Sequence, residues 1–186
     1  FGVYPVSQER FVRLVSRGNV FVEQALLARG KVRLERVAPE DWNNTPGPEV
    51  TILDRPTLVG LPQLTGAFVV LSPEAASVQV NHEVTPLSWL PNHPVLKNTD
   101  PTSWGYLRGT TVSPLPGSRS IVNGNTGTLV YEWPLASTTR KSGDTTSRAV
   151  VFNFDLAESE LPFLPGFPVL LWDTIDYITA STPGED

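Results

Sequence analysis

The chain reads as an α/β protein with a mainly parallel sheet and additional β elements in its second half. Three observations carry that reading. The first third runs strand, helix, strand, which is how an open α/β sheet with crossover connections begins. Two later runs, VTILD at 50–54 and AFVVL at 67–71, are apolar on both faces, as central parallel strands covered from both sides must be. From residue 78 onward, Pro, Gly, Asn, Ser and Thr break the chain into short β-like pieces instead of helix-length periods.

Each element has its local reason. RFVRLV at 10–15 is a β-rich run that stops at the turn cluster Ser16-Arg17-Gly18-Asn19. Asn19 is placed to cap a helix over 20–28, in which Val22, Ala25 and Leu26 form one apolar stripe. Arg29-Gly30 closes that helix with a cation followed by a glycine. The strand at 32–37 alternates Val, Leu and Val with Arg, Glu and Arg, the pattern of an edge position or of one wet face. Short β pieces are expected at 78–84, 109–112 and 128–133, and RKSGDTTS at 140–147 is expected to be a mobile polar loop. AVVFNFD at 149–155 is a strong strand. A last helix over 167–179 aligns Phe167, Leu170, Leu171, Ile175 and Ile178 on one face, with Pro168 in its first turn.

Composition excludes several classes of function. The 186 residues are 40% hydrophobic and 18% charged, which suits a single domain over 1–186 with a real core. No apolar run approaches the roughly 20 residues of a membrane span. A net charge of −5, with 14 thinly spread Lys and Arg, argues against a nucleic-acid surface. The absence of Cys removes disulfides, thiolate zinc sites and cysteine nucleophiles. Two His leave little for a metal site, so neither metal nor cofactor is expected. The chain opens Phe-Gly-Val and holds no Met, so it is expected to be a piece of a longer protein, and its 18 prolines stiffen the loops.

The candidate site residues lie where strands end. The glycine patterns of dinucleotide and phosphate loops are missing. Arg17, Gly18 and Asn19, at the start of the first helix, either hold an anion or form an ordinary cap and turn. Asp54 ends a buried strand, where α/β ligand sites collect, or else caps the turn made with Arg55 and Pro56. Ser72 ends another such strand. Ser72-Pro73-Glu74 reads as an N-cap, a proline at the first helical position and an early acid, because a nucleophile elbow would need small flanking residues. The competing reading is a serine-type hydrolase using Ser72 with His82 or His93 as base. His93, inside the extended WLPNHPVL at 89–96, reads as a packing or backbone-bonding histidine. Asp144-Thr145-Thr146-Ser147 superficially matches an Asp-x-Ser-x-Ser metal motif, but its middle residue is Thr and no first strand precedes it.

A set of collinear motifs adds a resemblance. RAVVFNFD at 148–155, Ser159, Leu161-Pro162 and FPVLL at 167–171 form the later half of it. GNVFVEQAL at 18–26, VTILD at 50–54, Leu61-Pro62 and HPVL at 93–96 form the earlier half. In order and spacing, from about Phe11 to Ile178, the chain resembles bacterial Bat-type, aerotolerance-related membrane proteins that carry a von Willebrand factor A domain. The resemblance implies a class I glutamine amidotransferase-like domain, with a flavodoxin-like sheet and added β elements. It also implies a place on the extracytoplasmic side of the cytoplasmic membrane, between a von Willebrand factor A domain and a C-terminal membrane helix. Amidotransferases work through Cys, His and Glu, so without Cys that activity does not carry over. The expectation is a non-catalytic interaction or ligand-sensing module of a membrane-anchored protein. Its partner would be another protein or the neighbouring domains of its own chain, bound in a crevice near Arg17, Gly18, Asn19, Asp54 and Ser72. Asp173 departs from the family, which often has Asn there, and puts any contact through a side-chain amide in doubt.

Overall fold

The structure, a computed structural model, describes residues 9–45, 49–59, 61–74, 82–109, 112–134 and 148–180. Strand β1 (Arg10–Val15) lies between β2 (Val32–Val37) and β3 (Val50–Asp54), and β4 (Ala67–Leu71) adds beyond β3. These pairings are all parallel, and β10 (Arg148–Phe152) joins β4 in the same sense. On its other edge β10 pairs antiparallel with β9 (Gly127–Pro134), beyond which lie β8 (Arg119–Gly124) and β6 (Pro86–Trp89). The order is therefore β2-β1-β3-β4-β10-β9-β8-β6, a mixed α/β sheet of eight strands, mainly parallel in its first half. A separate antiparallel pair is made by β5 (His82–Val84) and β7 (Leu107–Gly109).

Burial explains the order. β3, β4 and β10 carry nearly unbroken apolar runs because both of their faces are covered. β2 alternates because it is the edge, and its Glu35 pairs directly with Arg13 of β1 at 2.7 Å. The two helices, α1 (Val20–Leu27) and α2 (Gly166–Thr179), share one face of the sheet. They are tied together where the Trp172 indole donates to the Ala25 carbonyl at 3.1 Å. Arg29 stacks over the same indole and pairs with Asp176 at 2.8 Å. The opposite face has no α-helix among the described residues. Trp42, Leu58, Leu61, Leu64 and Leu115, from loops and single helical turns, cover Leu53, Phe68, Val70, Tyr131 and Val151 instead.

The strands expected at 10–15, 32–37, 50–54 and 67–71 form as expected, and α2 begins one residue before the expected 167. α1 stops at Leu27, and Ala28 is its C-cap, bonded to the Gln24 carbonyl. The strand expected over 149–155 runs only over Arg148–Phe152. Asn153 follows it, its backbone N–H still bonded to the Leu129 carbonyl at 2.7 Å and its buried side chain adding further bonds. It donates to the carbonyls of Val112 (2.6 Å) and Thr128 (2.9 Å) and accepts from the Val112 N–H at 3.3 Å. Of the piece expected at 78–84 only 82–84 is described. The piece at 109–112 forms earlier, over Leu107–Gly109, with 110–111 outside the described residues, as is the whole loop at 140–147. Asp173 accepts from the backbone N–H and the side-chain amide of Asn98, so an acceptor suffices at that position.

Asn153→Ala should leave three half-buried backbone groups of Val112 and Thr128 without this partner and lower unfolding stability by roughly 1–3 kcal/mol. Urea denaturation measures this directly, and a loss below about 1 kcal/mol would show that water replaces the side chain.

Candidate functional site

The ends of β1, β3 and β4 stand side by side and bring the expected residues onto one edge. Asn19 caps α1, its side chain accepting from the Val22 N–H at 3.2 Å. Gly18 lies at φ +114°, a conformation that favours glycine, and its N–H reaches the Ser16 hydroxyl at 3.1 Å. That hydroxyl in turn donates to Asp54 at 2.7 Å. Arg17 projects outward, its side chain 84% exposed and 3.9 Å from Glu40. Arg17, Gly18 and Asn19 thus act locally as a turn and a cap, while Asp54 is held by Ser16.

Two residues on this edge are strained. Arg55 and Ser72 sit at φ +55° and +51°, left-handed positions that cost about 1 kcal/mol or more for a side chain with a Cβ. Each turn lets its N–H bond the neighbouring strand: Arg55 to the Leu71 carbonyl at 2.8 Å, Ser72 to the Phe152 carbonyl at 3.0 Å. The Arg55 guanidinium grips both carboxylate oxygens of Asp155 at 2.8 and 2.9 Å. Asp155 also accepts the N–H groups of Ala157 and Glu158, which fixes the turn after β10.

The Ser72–His93 pairing of the hydrolase reading does not form. Ser72 is buried, and its hydroxyl accepts the Leu156 N–H at 3.0 Å instead of capping its own segment. His93 is buried too, and its Nδ1 accepts the Val95 N–H at 3.3 Å. Nδ1 therefore carries no proton, which puts the proton on Nε2. Nε2 faces Glu132 at 3.6 Å, beyond a true hydrogen bond. With one nitrogen bonded to backbone and the other turned to a carboxylate, His93 has no lone pair to offer Ser72. His82 stands exposed on β5 opposite Gly109.

The histidine belongs to a second cluster, which no spacing in the sequence assembles. Glu132 of β9 lies across from Arg119 of β8 and Val150 of β10. One of its oxygens receives Arg119 at 3.3 Å, and the other receives the Tyr177 hydroxyl of α2. Tyr177 packs edge-on against the His93 ring at 4.9 Å, and the Arg148 guanidinium lies 5.3 Å over the tyrosine ring. The Nε2–H dipole of His93, acting across that 3.6 Å gap, opposed by burial and helped by Tyr177 and Arg119, holds the Glu132 carboxyl at about 2. Burial first, and then Glu132, push the Tyr177 hydroxyl up to about 12. The signal was a lone acid in LVYEWP, a run whose other central residues are apolar or aromatic.

No family model matches the chain, and no curated protein matches it. Two solved structures share its fold. One is the cytoplasmic protein STM1381 of Salmonella typhimurium LT2, 8% identical, with a TM-score of 0.61 over 92% of this chain and 100% of that one. The other is the cytoplasmic protein STM3548 of Salmonella typhimurium, also 8% identical, with a TM-score of 0.56 over 90% of this chain and 98% of that one. At such identity the likeness speaks for the fold alone. Both neighbours are described as cytoplasmic, which runs against an extracytoplasmic, membrane-anchored, periplasmic module, and that expectation is withdrawn. Among the described residues no helix is long and apolar enough to cross a membrane.

The shifted groups fix the pH response. Glu132 is lowered in the folded state, so its stabilisation is complete above its ordinary value of 4.5 and is lost as pH falls toward about 2. Tyr177 is raised, so its share is complete below 10 and is lost as pH climbs toward about 12. Glu132→Gln should be less stable than the native chain at neutral pH, with the gap closing in acid. Tyr177→Phe should flatten the alkaline limb. Thermal unfolding against pH reads both, and parallel native and variant curves would contradict the assignment.

Proposed function

We propose that the chain is a binding domain built on an α/β scaffold of the kind that elsewhere carries catalytic elbows. In this reading the carboxyl edge of its parallel strands recognises a polar segment of a protein partner or of a neighbouring domain. The observation that carries the reading is the fate of Ser72. It has the strained strand-end backbone of a nucleophile elbow, yet its hydroxyl is buried and spent on the Leu156 N–H. What the edge offers to solvent is a set of charges of mixed sign, Arg17, Asp54 and Arg55, on a frame fixed by the Ser16–Asp54 and Arg55–Asp155 bonds. Such a frame gives register and specificity without a reacting group.

The strand order β2-β1-β3-β4-β10 supports a flavodoxin-like assignment for the parallel half, since that fold runs 2-1-3-4-5. The resemblance to amidotransferase-like domains of Bat-type proteins supports the same scaffold, with the cysteine that their catalytic relatives need absent from the whole sequence.

Two measurements test the reading. A fluorophosphonate probe should leave Ser72 unmodified, and Ser72→Ala should cost about 1–2 kcal/mol of stability by orphaning the Leu156 N–H. Partner capture by cross-linking through a photoreactive residue at position 17 should be lost in Asp54→Ala. Covalent labelling of Ser72, or capture indifferent to Asp54, would sink it.

A further inference from the structure

We infer that the loop-covered face of the sheet carries a second binding site, for an uncharged sugar ring. Beside the carboxyl end of β3 lies a cavity of about 390 Å³, within the size range of small-molecule sites. Buried Leu53, Leu61 and Leu64 form its base, and half-buried Trp42 stands with them. The exposed side chains of Asn44, Thr57, Gln63 and Thr65 form its rim. Among the described residues, no ionisable side chain lines it. Asp54 and Arg55, which follow Leu53 in the chain, are engaged elsewhere, by Ser16 and Asp155.

This lining selects a ligand by elimination and by fit. An ion would shed water here and meet no opposite charge, a desolvation penalty with nothing to offset it. A wholly apolar ligand would cover the rim amides and hydroxyls and leave them without partners. A pyranose meets both demands, with C–H groups on the faces of its ring and hydroxyls around its edge. Those hydroxyls donate and accept at once, as do the amides of Asn44 and Gln63. None of the four rim side chains makes a hydrogen bond among the described residues, so their polar atoms are available to a ligand. Trp42 supplies the flat apolar surface on which a ring face rests.

The site is formed before any ligand arrives. The Trp42 indole donates to the Thr45 carbonyl at 3.1 Å, and its ring sits edge-on to Phe68 at 6.5 Å. Its one polar atom is therefore spent within the protein, and only ring surface is left to the cavity. Backbone bonds from Arg55 to Leu71, Glu74 to Pro56 and Leu64 to Leu61 pin the chain around the base. Asn44 stands at φ +63°, in a turn closed by the Thr45 N–H and hydroxyl, which both donate to the Asn43 side chain. That leaves the Asn44 amide to the rim. Little conformational freedom is lost on binding, which favours affinity. The site uses none of the Arg17, Asp54 and Arg55 side chains, so it is independent of the strand-end surface proposed above.

The test titrates the chain separately with glucose, galactose, mannose and N-acetylglucosamine, with sorbitol and adenosine as controls. Nuclear magnetic resonance follows the indole N–H of Trp42 and the side-chain amides of Asn44 and Gln63. The expected result is a saturating shift of all three with at least one sugar. Sorbitol, which has the hydroxyls without the ring, should give none. Asn44→Gly and Gln63→Ala should each weaken binding about fivefold, the loss of one hydrogen bond. Trp42→Ala should abolish saturation, and Trp42→Phe, which keeps a ring face, should restore it. Both rim variants alter exposed side chains, and glycine suits the left-handed turn at 44, so a folding defect in Trp42→Ala would leave the test intact. Tighter binding of the matching disaccharide assigns a glycan chain, and equal binding a free sugar. Saturation by no sugar, by sorbitol equally well, or by adenosine alone would overturn the site, as would sugar binding unchanged in both rim variants.

Discussion

Strand β10 is bonded on one edge to a parallel neighbour and on the other to an antiparallel one, and the two halves of the sheet meet only there. The two ladders have different hydrogen-bond spacing, so the strand has to satisfy both with the same backbone. After Arg148 all its residues are buried, which leaves no polar side chain to absorb a misfit. The ladder closes just past the strand at Asn153, whose N–H still bonds the Leu129 carbonyl and whose side chain adds bonds to Val112 and Thr128. From that point the backbone is free to turn, and Asp155 meets Arg55 and the Arg108 carbonyl. Much of the carboxyl edge is therefore set by where β10 stops.

The two polar regions that result differ in kind. At the strand ends, backbone geometry comes first: left-handed turns at Arg55 and Ser72 lock each strand to the next, and the exposed ion pairs contribute little beyond direction. Around Glu132 the side chains come first. A mostly buried carboxylate takes donors from an adjoining strand and from a helix, and it remains ionised because those donors outweigh its loss of water. One region is rigid by construction, while the other holds its arginine by a single contact.

What could be read from residues alone tracks the range of the forces involved. The parallel strands were legible because burial on two faces leaves an unbroken apolar run, as in VTILD and AFVVL. The caps were legible because Asn19 acts on its own helix. Ser72 was misleading for the opposite reason: its sequence neighbours suggest a cap, but its partner, Leu156, lies 84 residues away. The Glu132 cluster joins separate stretches of chain through His93, Arg119, Arg148 and Tyr177, and no spacing rule connects them. Among the described residues, Trp42, Leu61 and Leu64 from loops and single helical turns cover one face of the sheet, and periodicity gives no sign of such a cover.

The late arrival of β10 has a consequence for how the chain comes to be folded. β4 is made early, but its outer edge pairs with a strand that begins only at Arg148. Until then a fully apolar strand presents unpaired N–H and C=O groups, a template for pairing with another copy. Closing so long a loop is slow, because its entropy is spent before the pairing gives anything back. During synthesis the first four strands emerge without the strand that seals them, and α2, which covers one face of the same sheet, emerges later still. Yield and solubility of this fold should be governed by that interval more than by the strength of its finished core.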